Sequence, residues 1–301
     1  MDELRDACAQ IASEARWVQI ATEAIAAYSG SLPLQRVTAP GPLLTGSDRE
    51  HAAADTMALD AINFGSGWFP SLRKRAGRSG YGTVAEAMAE HRRRAGPWAA
   101  STLAAVSAPT IAVILGQEAG HPLMALYAAS LRDLGRHVTA DHEGCFAALV
   151  DAAGGSAVSL ARRLGTWDCF ADRACHRGLE LPFLKRAQIA AADLQRAKVA
   201  DWQDLSTLTM FADNLVPHVL RLDGILRFDA RLVARIDREQ LILHGSPEEV
   251  EIRACAVHAV ELIVAARPGS RAADVDQLLW QRGGEARYKA SPRHRCRCTA
   301  Y

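Results

Sequence analysis

Apolar residues recur every three or four positions along nearly the whole chain, and this spacing constrains the fold more than any other feature of the sequence. Such a period is typical of amphipathic helices. Alternating apolar and polar residues, which are typical of strands, are scarce, with one short candidate near 225–228. We therefore predict an all-α fold, a compact multi-helix globular protein. We expect one helical domain over residues 1–301, or two closely packed helical lobes within it.

Glycine, proline and serine residues mark the turns between the predicted helices. The glycine- and proline-rich stretch 29–46 is predicted to form an internal surface loop. Ser246 and Glu249 form a capping-box pattern before a long amphipathic segment, and Ser270 is predicted to open the next helix. The other helical patterns cover residues 3–28, 48–62, 83–93, 99–115, 122–134, 140–151, 155–164 and 182–198.

The charge balance of the 301-residue chain limits the classes of partner. Its 35 Lys and Arg residues against 34 Asp and Glu residues give a formal net charge of +1, and 49% of the residues are hydrophobic. This composition is typical of a globular protein with a full core and gives no general signal for binding a polyanion. No apolar stretch reaches the length of a membrane span, and the acidic N-terminus is unlike a secretory signal. We expect a cytoplasmic protein whose partners include neither a membrane nor an intact nucleic acid.

The seven cysteines indicate neither a disulfide framework nor a metal site. Their number is odd, and Cys8 and Cys255 lie in helix-like apolar patterns where cysteine acts as a small hydrophobic residue. Two groupings combine cysteine with histidine, one at 169–176 and one at 294–298. Neither has the gap of about two to four residues that is typical of structural zinc pairs. We therefore predict no metal ligand.

The stretch MFADNLVPHVLR, residues 210–221, places one acid between an apolar run and a predicted helix. Pro217 is tolerated in the first turn of a helix and poorly after it, so the helix begins near Asp213 or Asn214. Asp213 is therefore a candidate helix cap. It is also a candidate catalytic acid, because a helix N-terminus stabilises an anion close to an apolar interior. The two interpretations are compatible.

Asn63, Phe64 and Trp68 in LDAINFGSGWFP are candidate contacts for a planar heterocycle. They flank the glycine-rich residues 65–67, and aromatic faces beside a loop amide suit stacking and edge hydrogen bonds. The alternative is that Phe64, Trp68 and Phe69 simply close the core beside a loop. The residues themselves leave both interpretations open.

Two further stretches carry candidate phosphate contacts. In LPFLKRAQIAAADL, Lys185 and Gln188 are three residues apart, and the lysine either contacts a phosphate or sugar or extends to solvent. In the tail SPRHRCRCTAY, His294, Arg295 and Tyr301 belong to a cluster of donors that suits a phosphate monoester, although such tails are often disordered. The sequence contains no glycine-rich phosphate loop, serine-nucleophile elbow or metal-binding histidine pair.

Taken together, these stretches resemble the queuosine salvage proteins, a family of queuosine 5′-phosphate N-glycosylases. The resemblance runs in the family's order from about residue 55 to 301, through LDAINFGSGWFP, GGSAVSLARRL, FLKRAQIAAADL, DLSTLTMFADNLVPHVLR, GILRFDARLVARID, SPEEVEIRACAVHAVELI, VDQLLW and PRHRCRCTAY. The chain departs from the family at Asn214 and Leu215, where tyrosine and arginine are usual. It departs again at Cys296 and Cys298, where threonines are usual in the tail.

The resemblance implies a helical fold related to the helix-hairpin-helix DNA glycosylases, which open a helix with a catalytic aspartate. Asp213 sits at the comparable place. The implied reaction is hydrolysis of the N-glycosidic bond of queuosine 5′-phosphate to queuine and ribose 5-phosphate, in which a fixed carboxylate stabilises an oxocarbenium-like sugar cation. Asn63, Phe64 and Trp68 would hold the base. Asp204 would contact the base or an amine substituent, or else would cap a short helix.

The same resemblance implies that the phosphate is held by Lys185 and the tail, with His294 and Arg295 as donors. Gln188 and Tyr301 complete the expected substrate contacts. The reaction requires no cofactor, and the expected partner is the small-molecule substrate.

Two other functions remain open at this level. A helical module could bind a modified nucleotide without turnover. In that case Asp213→Asn would have no turnover to abolish. A DNA glycosylase is less favoured, because the composition is near-neutral and the glycine-rich hairpin of those enzymes is missing.

Overall fold

The computed structural model describes residues 1–33 and 48–301, and over these ranges the chain is mainly helical, as predicted. None of the described helices is long and apolar enough to cross a membrane. The loop predicted at 29–46 lies largely outside the described residues. The helices are α1 (Asp2–Glu14), α2 (Ile25–Ser31), α3 (Arg49–Ala61), α4 (Gly80–Ala95), α5 (Ala100–Ala105), α6 (Ala108–Leu115), α7 (Pro122–His142), α8 (Phe146–Asp151), α9 (Ala157–Leu164), α10 (Lys185–Arg196), α11 (Leu215–Leu222), α12 (Ala230–Asp237), α13 (Pro247–Ala265), α14 (Ala272–Arg282) and α15 (Ala286–Lys289).

Short strands form two separate antiparallel ladders in the described ranges. The strands are β1 (Val18–Ile20), β2 (Arg173–His176), β3 (Leu179–Pro182) and β4 (Leu226–Phe228). β1 pairs with β4, which confirms the strand predicted near 225–228. β2 and β3 form a hairpin, and its turn residues Arg177 and Gly178 have the positive φ angles, 50° and 83°, that a tight hairpin needs. The other strands were missed because three or four residues are too few to show a period.

The helix predicted over 3–28 is wrong in its middle, where α1 ends at Glu14 and β1 follows. The buried carboxylate of Glu251 on α13 accepts hydrogen bonds from the backbone N–H groups of Arg16 at 2.8 Å and Trp17 at 2.6 Å. Because these amides bind a distant side chain, they do not continue the helix. Tertiary structure here overrides the local helical period.

Other helix boundaries also differ from the predictions, and α7 continues to His142 through the gap predicted between helices at 122–134 and 140–151. The segment predicted as one helix over 99–115 divides into α5 and α6, because the side chain of Ser107 caps a new helix there. The expected role of Ser270 is also wrong, since α14 begins after Arg271 and has no side-chain cap.

Helix α13 is central to the fold, and its side chains are buried on nearly every side. It packs against α1, α2, α11 and α14, as expected of a helix that is apolar all round. Ser246 caps it as predicted, by accepting a hydrogen bond from the N–H of Glu249. The Glu249 carboxylate in turn accepts from the N–H of Gly245. Buried apolar residues from Met1 to Tyr288 form one cluster around this helix.

A buried ion pair links α13 to two segments that later form the site. Arg253 Nη2 lies 2.7 Å from Asp172 Oδ2, and both side chains are fully buried. The same Asp172 oxygen accepts from the backbone N–H of Lys185 at 2.9 Å, where α10 begins. Arg253 Nε donates to the carbonyl oxygen of Ala212, also at 2.9 Å. The start of α10 and the residue before Asp213 are therefore fixed relative to each other.

Candidate active site

A cavity of about 1380 Å³ opens between the segment after α3, the start of α4, helices α10, α11 and α14, and the tail. Ligand pockets for drug-sized molecules are roughly 300–1,000 Å³, so a nucleotide fits within this volume. Acids at its walls include Asp193, Asp213 and Asp276, and cations include Lys185 and Arg293. A second cavity, of about 640 Å³, lies beside the start of α3 and the end of α10 and includes none of these groups.

Asp213 lies at the cavity wall where α11 begins. Its Oδ1 accepts hydrogen bonds from the backbone N–H groups of Leu215 at 2.8 Å and Val216 at 3.0 Å. Pro217 follows in the first turn, where a missing N–H costs the helix nothing. Asp213 is therefore a helix cap and an acid at the cavity wall at the same time.

The residues on either side of Asp213 are anchored to other elements. The backbone N–H of Phe211 donates to Oδ1 of Asp276 on α14 at 3.0 Å. The side chain of Asn214 donates through Nδ2 to the carbonyl oxygen of His294 in the tail at 2.9 Å. The position of Asp213 thus depends on contacts with α14 and with the tail.

Asp276 is a second acid of the cavity, with a different environment. Burial raises the pKa of its carboxyl well above the usual range, and the charge of Asp213 raises it further. Of the two acids, Asp276 is therefore the one expected to carry a proton.

Lys185 is the first residue of α10, and its side chain reaches the cavity. Its Nζ donates to the backbone carbonyl oxygen of Asn63 at 2.8 Å, which ties α10 to the segment after α3. Burial lowers the pKa of Lys185 to about 8, and the charge of Asp213 acts against this shift. The ammonium group is therefore protonated at neutral pH and close to its titration range.

Asn63 and Phe64 follow the end of α3 and line the cavity. The Phe64 ring packs edge-on against Tyr127, with ring centroids 5.0 Å apart, and the hydroxyl of Tyr127 donates to the Phe64 carbonyl oxygen at 2.8 Å. The guanidinium of Arg186 lies 5.0 Å from the same ring. This aromatic wall is consequently fixed before any ligand binds.

The tail packs on the same loop. Gly65 donates its N–H to the carbonyl oxygen of Tyr301 at 3.1 Å. A Cβ atom at Gly67 would overlap the carbonyl group of Cys296, so only glycine permits this approach. Arg295 reaches the cavity and pairs with Glu239 at 2.6 Å. The tail therefore forms a wall of the cavity.

Comparison with known proteins identifies the family to which this geometry belongs. The family model described as "Queuosine salvage protein" matches residues 44–301. The chain belongs to the queuosine salvage protein family. The matched range runs from before α3 through the tail, so it contains every wall of the cavity.

Three relatives carry the name queuosine 5′-phosphate N-glycosylase/hydrolase. The relative from Sphaerobacter thermophilus is 34% identical over 97% of this chain and 95% of its own length. The relative from Mus musculus is 30% identical over 60% of this chain and 59% of its own length. The relative from Schizosaccharomyces pombe is 31% identical over 53% of this chain and 48% of its own length. Similarity to the bacterial relative thus covers nearly the full length of both proteins.

The fold brings six of the ten predicted site residues to one cavity. These are Asn63, Phe64, Lys185, Asp213, Arg295 and Tyr301. They come from four separate segments of the chain, so only the tertiary structure places them together.

Two other predicted residues serve the framework. Gln188 is fully buried, and its amide both donates to the hydroxyl of Thr209 at 3.0 Å and accepts from the backbone N–H of Thr209 at 2.9 Å. Asp204 accepts from the Ser156 hydroxyl at 2.5 Å and from the backbone N–H of Ala157 at 2.6 Å, which caps α9. The alternative prediction, that Asp204 caps a helix, is correct in kind. Its side chain caps α9, however, and not the short helix that follows Asp204. Both side chains lie away from the cavity walls.

Trp68 and His294 also lie outside the cavity walls. Trp68 is buried, and its neighbour Phe69 reaches the cavity in its place. The His294 ring is only 2% exposed, and burial lowers its pKa to about 3, so it is neutral at physiological pH. Its backbone carbonyl, which binds the side chain of Asn214, is the part that touches the site region.

Sequence reasoning missed several cavity residues, namely Tyr81, Asp193, His218, Asp276 and Trp280. Asp276 and Trp280 are four residues apart in VDQLLW, a spacing that places them on one face of α14. The four-residue spacing of Asp276 and Trp280 was visible in the sequence, but the stretch VDQLLW was used only as part of the family resemblance. Burial lowers the pKa of His218 to about 4, so its imidazole is neutral in the cavity.

One group of side chains in the described ranges has the geometry of a metal site. It comprises His244, Cys296 and Cys298, whose ligand atoms all lie within 4.8 Å of one another. None of the three lines the cavity. The prediction of no metal ligand considered His294 as the partner of the two cysteines, whereas the fold supplies His244 from another segment.

Proposed function

We propose that this chain hydrolyses the N-glycosidic bond of queuosine 5′-phosphate, releasing queuine and ribose 5-phosphate. The observation that carries the proposal is the placement of Asp213. Its carboxylate accepts hydrogen bonds from two backbone N–H groups and lies, partly exposed, at the wall of a nucleotide-sized cavity. Membership of the queuosine salvage family and the names of its relatives supply the substrate.

Asp213 is the proposed catalytic residue. Cleavage of the bond between the sugar and the base leaves positive charge on the sugar ring, in an oxocarbenium-like transition state. A fixed carboxylate in a partly dry cavity stabilises that charge without having to reorient. One water molecule is consumed, since its oxygen joins the anomeric carbon and its two protons are shared between the departing base and the new hydroxyl. Whether water attacks directly or after a covalent sugar intermediate, Asp213 has the same electrostatic role.

Asn63 and Phe64 are the proposed contacts for the base. Phe64 offers a rigid aromatic face, and Asn63 offers an amide at the same wall. Asp276, which burial favours in its protonated form, is the proposed proton donor to the departing base, and one proton of the attacking water then restores it. An amine substituent on the base would find Asp193 at the cavity wall, and this residue replaces Asp204 in that role.

Lys185, Arg295 and Tyr301 are the proposed contacts for the sugar phosphate. A dianionic phosphate matches the ammonium and guanidinium groups at this wall. A substrate without the phosphate would leave the buried ammonium group of Lys185 without an anionic ligand, which would favour the nucleotide over the nucleoside. Trp68, Gln188 and His294 then act indirectly, by holding the walls in place.

The test is mass-spectrometric detection of free queuine after the purified protein is incubated with queuosine 5′-phosphate. Asp213→Asn is the matched variant, because asparagine also caps helices and should preserve the fold. Release by the wild type, loss of release in the variant and a preference for the phosphate over queuosine are the expected results. Ligand binding without release by the wild type would instead establish a nucleotide-binding module. Base release from a damaged duplex oligonucleotide would establish a DNA glycosylase.

A further inference from the structure

The cluster of His244, Cys296 and Cys298 lies outside the cavity, and the proposed hydrolysis gives it no role. Cys296 and Cys298 are separated by one residue in an extended tail, where alternate side chains point to the same face. Both cysteines are buried, and neither forms a disulfide. The imidazole of His244 meets them with its ligand atom within 4.8 Å of both sulfurs.

Backbone pairing explains why His244 meets these cysteines. Leu241 forms a parallel bridge with Arg295, and the N–H of Ile242 donates to the Arg295 carbonyl oxygen at 2.8 Å. This isolated bridge holds the segment before α13 beside the tail. His244 and Cys298 each lie three positions beyond the bridge, and their side chains come close together.

A buried carboxylate lies beside the cluster. The side chain of Glu249 is fully buried, and its Oε1 lies 3.5 Å from His244 Nδ1. In the described part of the chain, neither of these two atoms has a hydrogen-bond partner. The other carboxylate oxygen of Glu249 accepts from the N–H of Gly245 at 3.0 Å, which fixes the group. Buried polar atoms without partners are costly and require an explanation.

We propose that His244, Cys296 and Cys298 bind one zinc ion. Two thiolates and one imidazole supply three ligands of a tetrahedral site whose fourth position a water molecule fills, and this mixture of soft and borderline donors favours zinc over magnesium or calcium. The two thiolates neutralise the charge of the ion. The Glu249 carboxylate, 3.5 Å from His244 Nδ1, holds the imidazole in place.

The proposed zinc ion is structural, and it fastens the tail to the segment before α13. Arg295 and Tyr301, on either side of the two cysteines, line the cavity. The carbonyl group of Cys296 also packs directly against Gly67. Loss of the ion would release the cavity wall that carries Arg295 and Tyr301, although none of the three zinc ligands itself lines the cavity.

The test measures metal binding by the full chain, independently of its activity. Protein stripped with a chelator is titrated with zinc against a chromophoric competitor, and separately with cobalt(II), whose tetrahedral thiolate complexes give intense visible and near-ultraviolet bands. The test variants are Cys298→Ser and His244→Asn. Cys175→Ser is the matched control, because Cys175 is an exposed free cysteine outside the cluster.

We expect one equivalent of zinc per chain in the wild type and in Cys175→Ser, with thiolate-to-cobalt bands in both. Cys298→Ser and His244→Asn should lose this one-to-one binding. Circular dichroism checks that each variant is folded, and the partly exposed His244 gives the milder substitution if Cys298→Ser does not fold. A wild type that takes up less than a stoichiometric amount of zinc and shows no tetrahedral cobalt spectrum would overturn the proposal. Unchanged affinity in folded His244→Asn would overturn it as well.

Discussion

Asp172 and Asp213 both accept hydrogen bonds from backbone N–H groups at the start of a helix, α10 for the first and α11 for the second. Asp172 also pairs with Arg253 at 2.7 Å, and both of these side chains are fully buried. Asp213 is partly exposed and lies at the wall of the cavity. One local motif therefore occurs in a closed environment and in an open one.

The difference shows that capping alone does not decide what an acid does. The charge of Asp172 is neutralised at short range by a guanidinium, and the pair holds elements together. The charge of Asp213 is stabilised by backbone dipoles and still faces the cavity, where it can act on a developing cation. Removing the charge of Asp172 should therefore lower the free energy of unfolding, and removing the charge of Asp213 should lower the turnover rate.

Asp213→Asn should give the largest effect on turnover. We expect kcat for queuine release to fall by about 10³-fold, because the transition state loses its electrostatic partner. The free energy of unfolding should change by less than about 1 kcal/mol, since asparagine is also a good cap. Rate measurements and urea unfolding on the same preparation check both parts. A variant that retained a tenth of the activity would remove the distinction between the two acids.

Asp172→Asn should give the largest effect on stability. It leaves the buried guanidinium of Arg253 without its negative partner, and we expect a loss of about 3–5 kcal/mol in the free energy of unfolding. Urea unfolding followed by circular dichroism measures it. Asp229→Asn is the matched control, because Asp229 caps α12 at the surface and pairs with the exposed Arg231. There the expected loss is below about 1 kcal/mol, and equal losses in the two variants would contradict the assignment.

Lys185 connects the two regions, since its backbone N–H binds Asp172 and its ammonium group shares the cavity with Asp213. Lys185→Met should raise KM for the phosphate substrate by about 10- to 100-fold, through loss of a charge-assisted contact. Initial rates over a range of substrate concentrations give this number. A KM that does not change would remove Lys185 from the phosphate contacts.

The pH dependence of KM gives a second test of the proposed contact between Lys185 and the phosphate. Burial lowers the pKa of Lys185 to about 8, so its charge is present below that pH and is lost above it. KM in the wild type should therefore rise as pH increases through about 8. Lys185→Arg is the matched variant, because arginine stays protonated and should remove this rise. The unfolded chain binds more protons between this value and the pKa of free lysine, so the free energy of unfolding should rise with pH over that window.

Asp204→Ala should give the smallest effect. Asp204 caps α9 outside the cavity, so we expect a loss of about 1 kcal/mol in stability and no change in kcat. Thermal or urea unfolding, together with the queuine-release assay, checks this. A large fall in kcat in the folded variant would return Asp204 to the substrate contacts.

Much of the fold was predictable because helices depend on local spacing. Pro217 was enough to fix the start of α11 and the capping role of Asp213. The end of the first helix could not be predicted, because a buried carboxylate from α13 binds the backbone just after it, at Arg16 and Trp17. No local sequence pattern predicts a contact between residues so far apart in the chain.

The candidate site was predictable in part. Residue types identified Asp213, Lys185 and Phe64, but they could not show which polar side chains point away from the cavity. Gln188 lies only three residues from Lys185, yet its amide is turned to the backbone and hydroxyl of Thr209. Likewise, His244 meets the cysteines of the tail beside an isolated backbone bridge that only the fold reveals.

The contact between Gly65 and Tyr301 has a consequence for the order of folding events. It joins residues at opposite ends of the region that forms the cavity, and closing so long a loop is slow compared with forming local helices. After dilution from denaturant, the helical signal should therefore recover before the cavity wall is complete. Newly refolded chains would pass through a helical state that is not yet competent to hold a nucleotide.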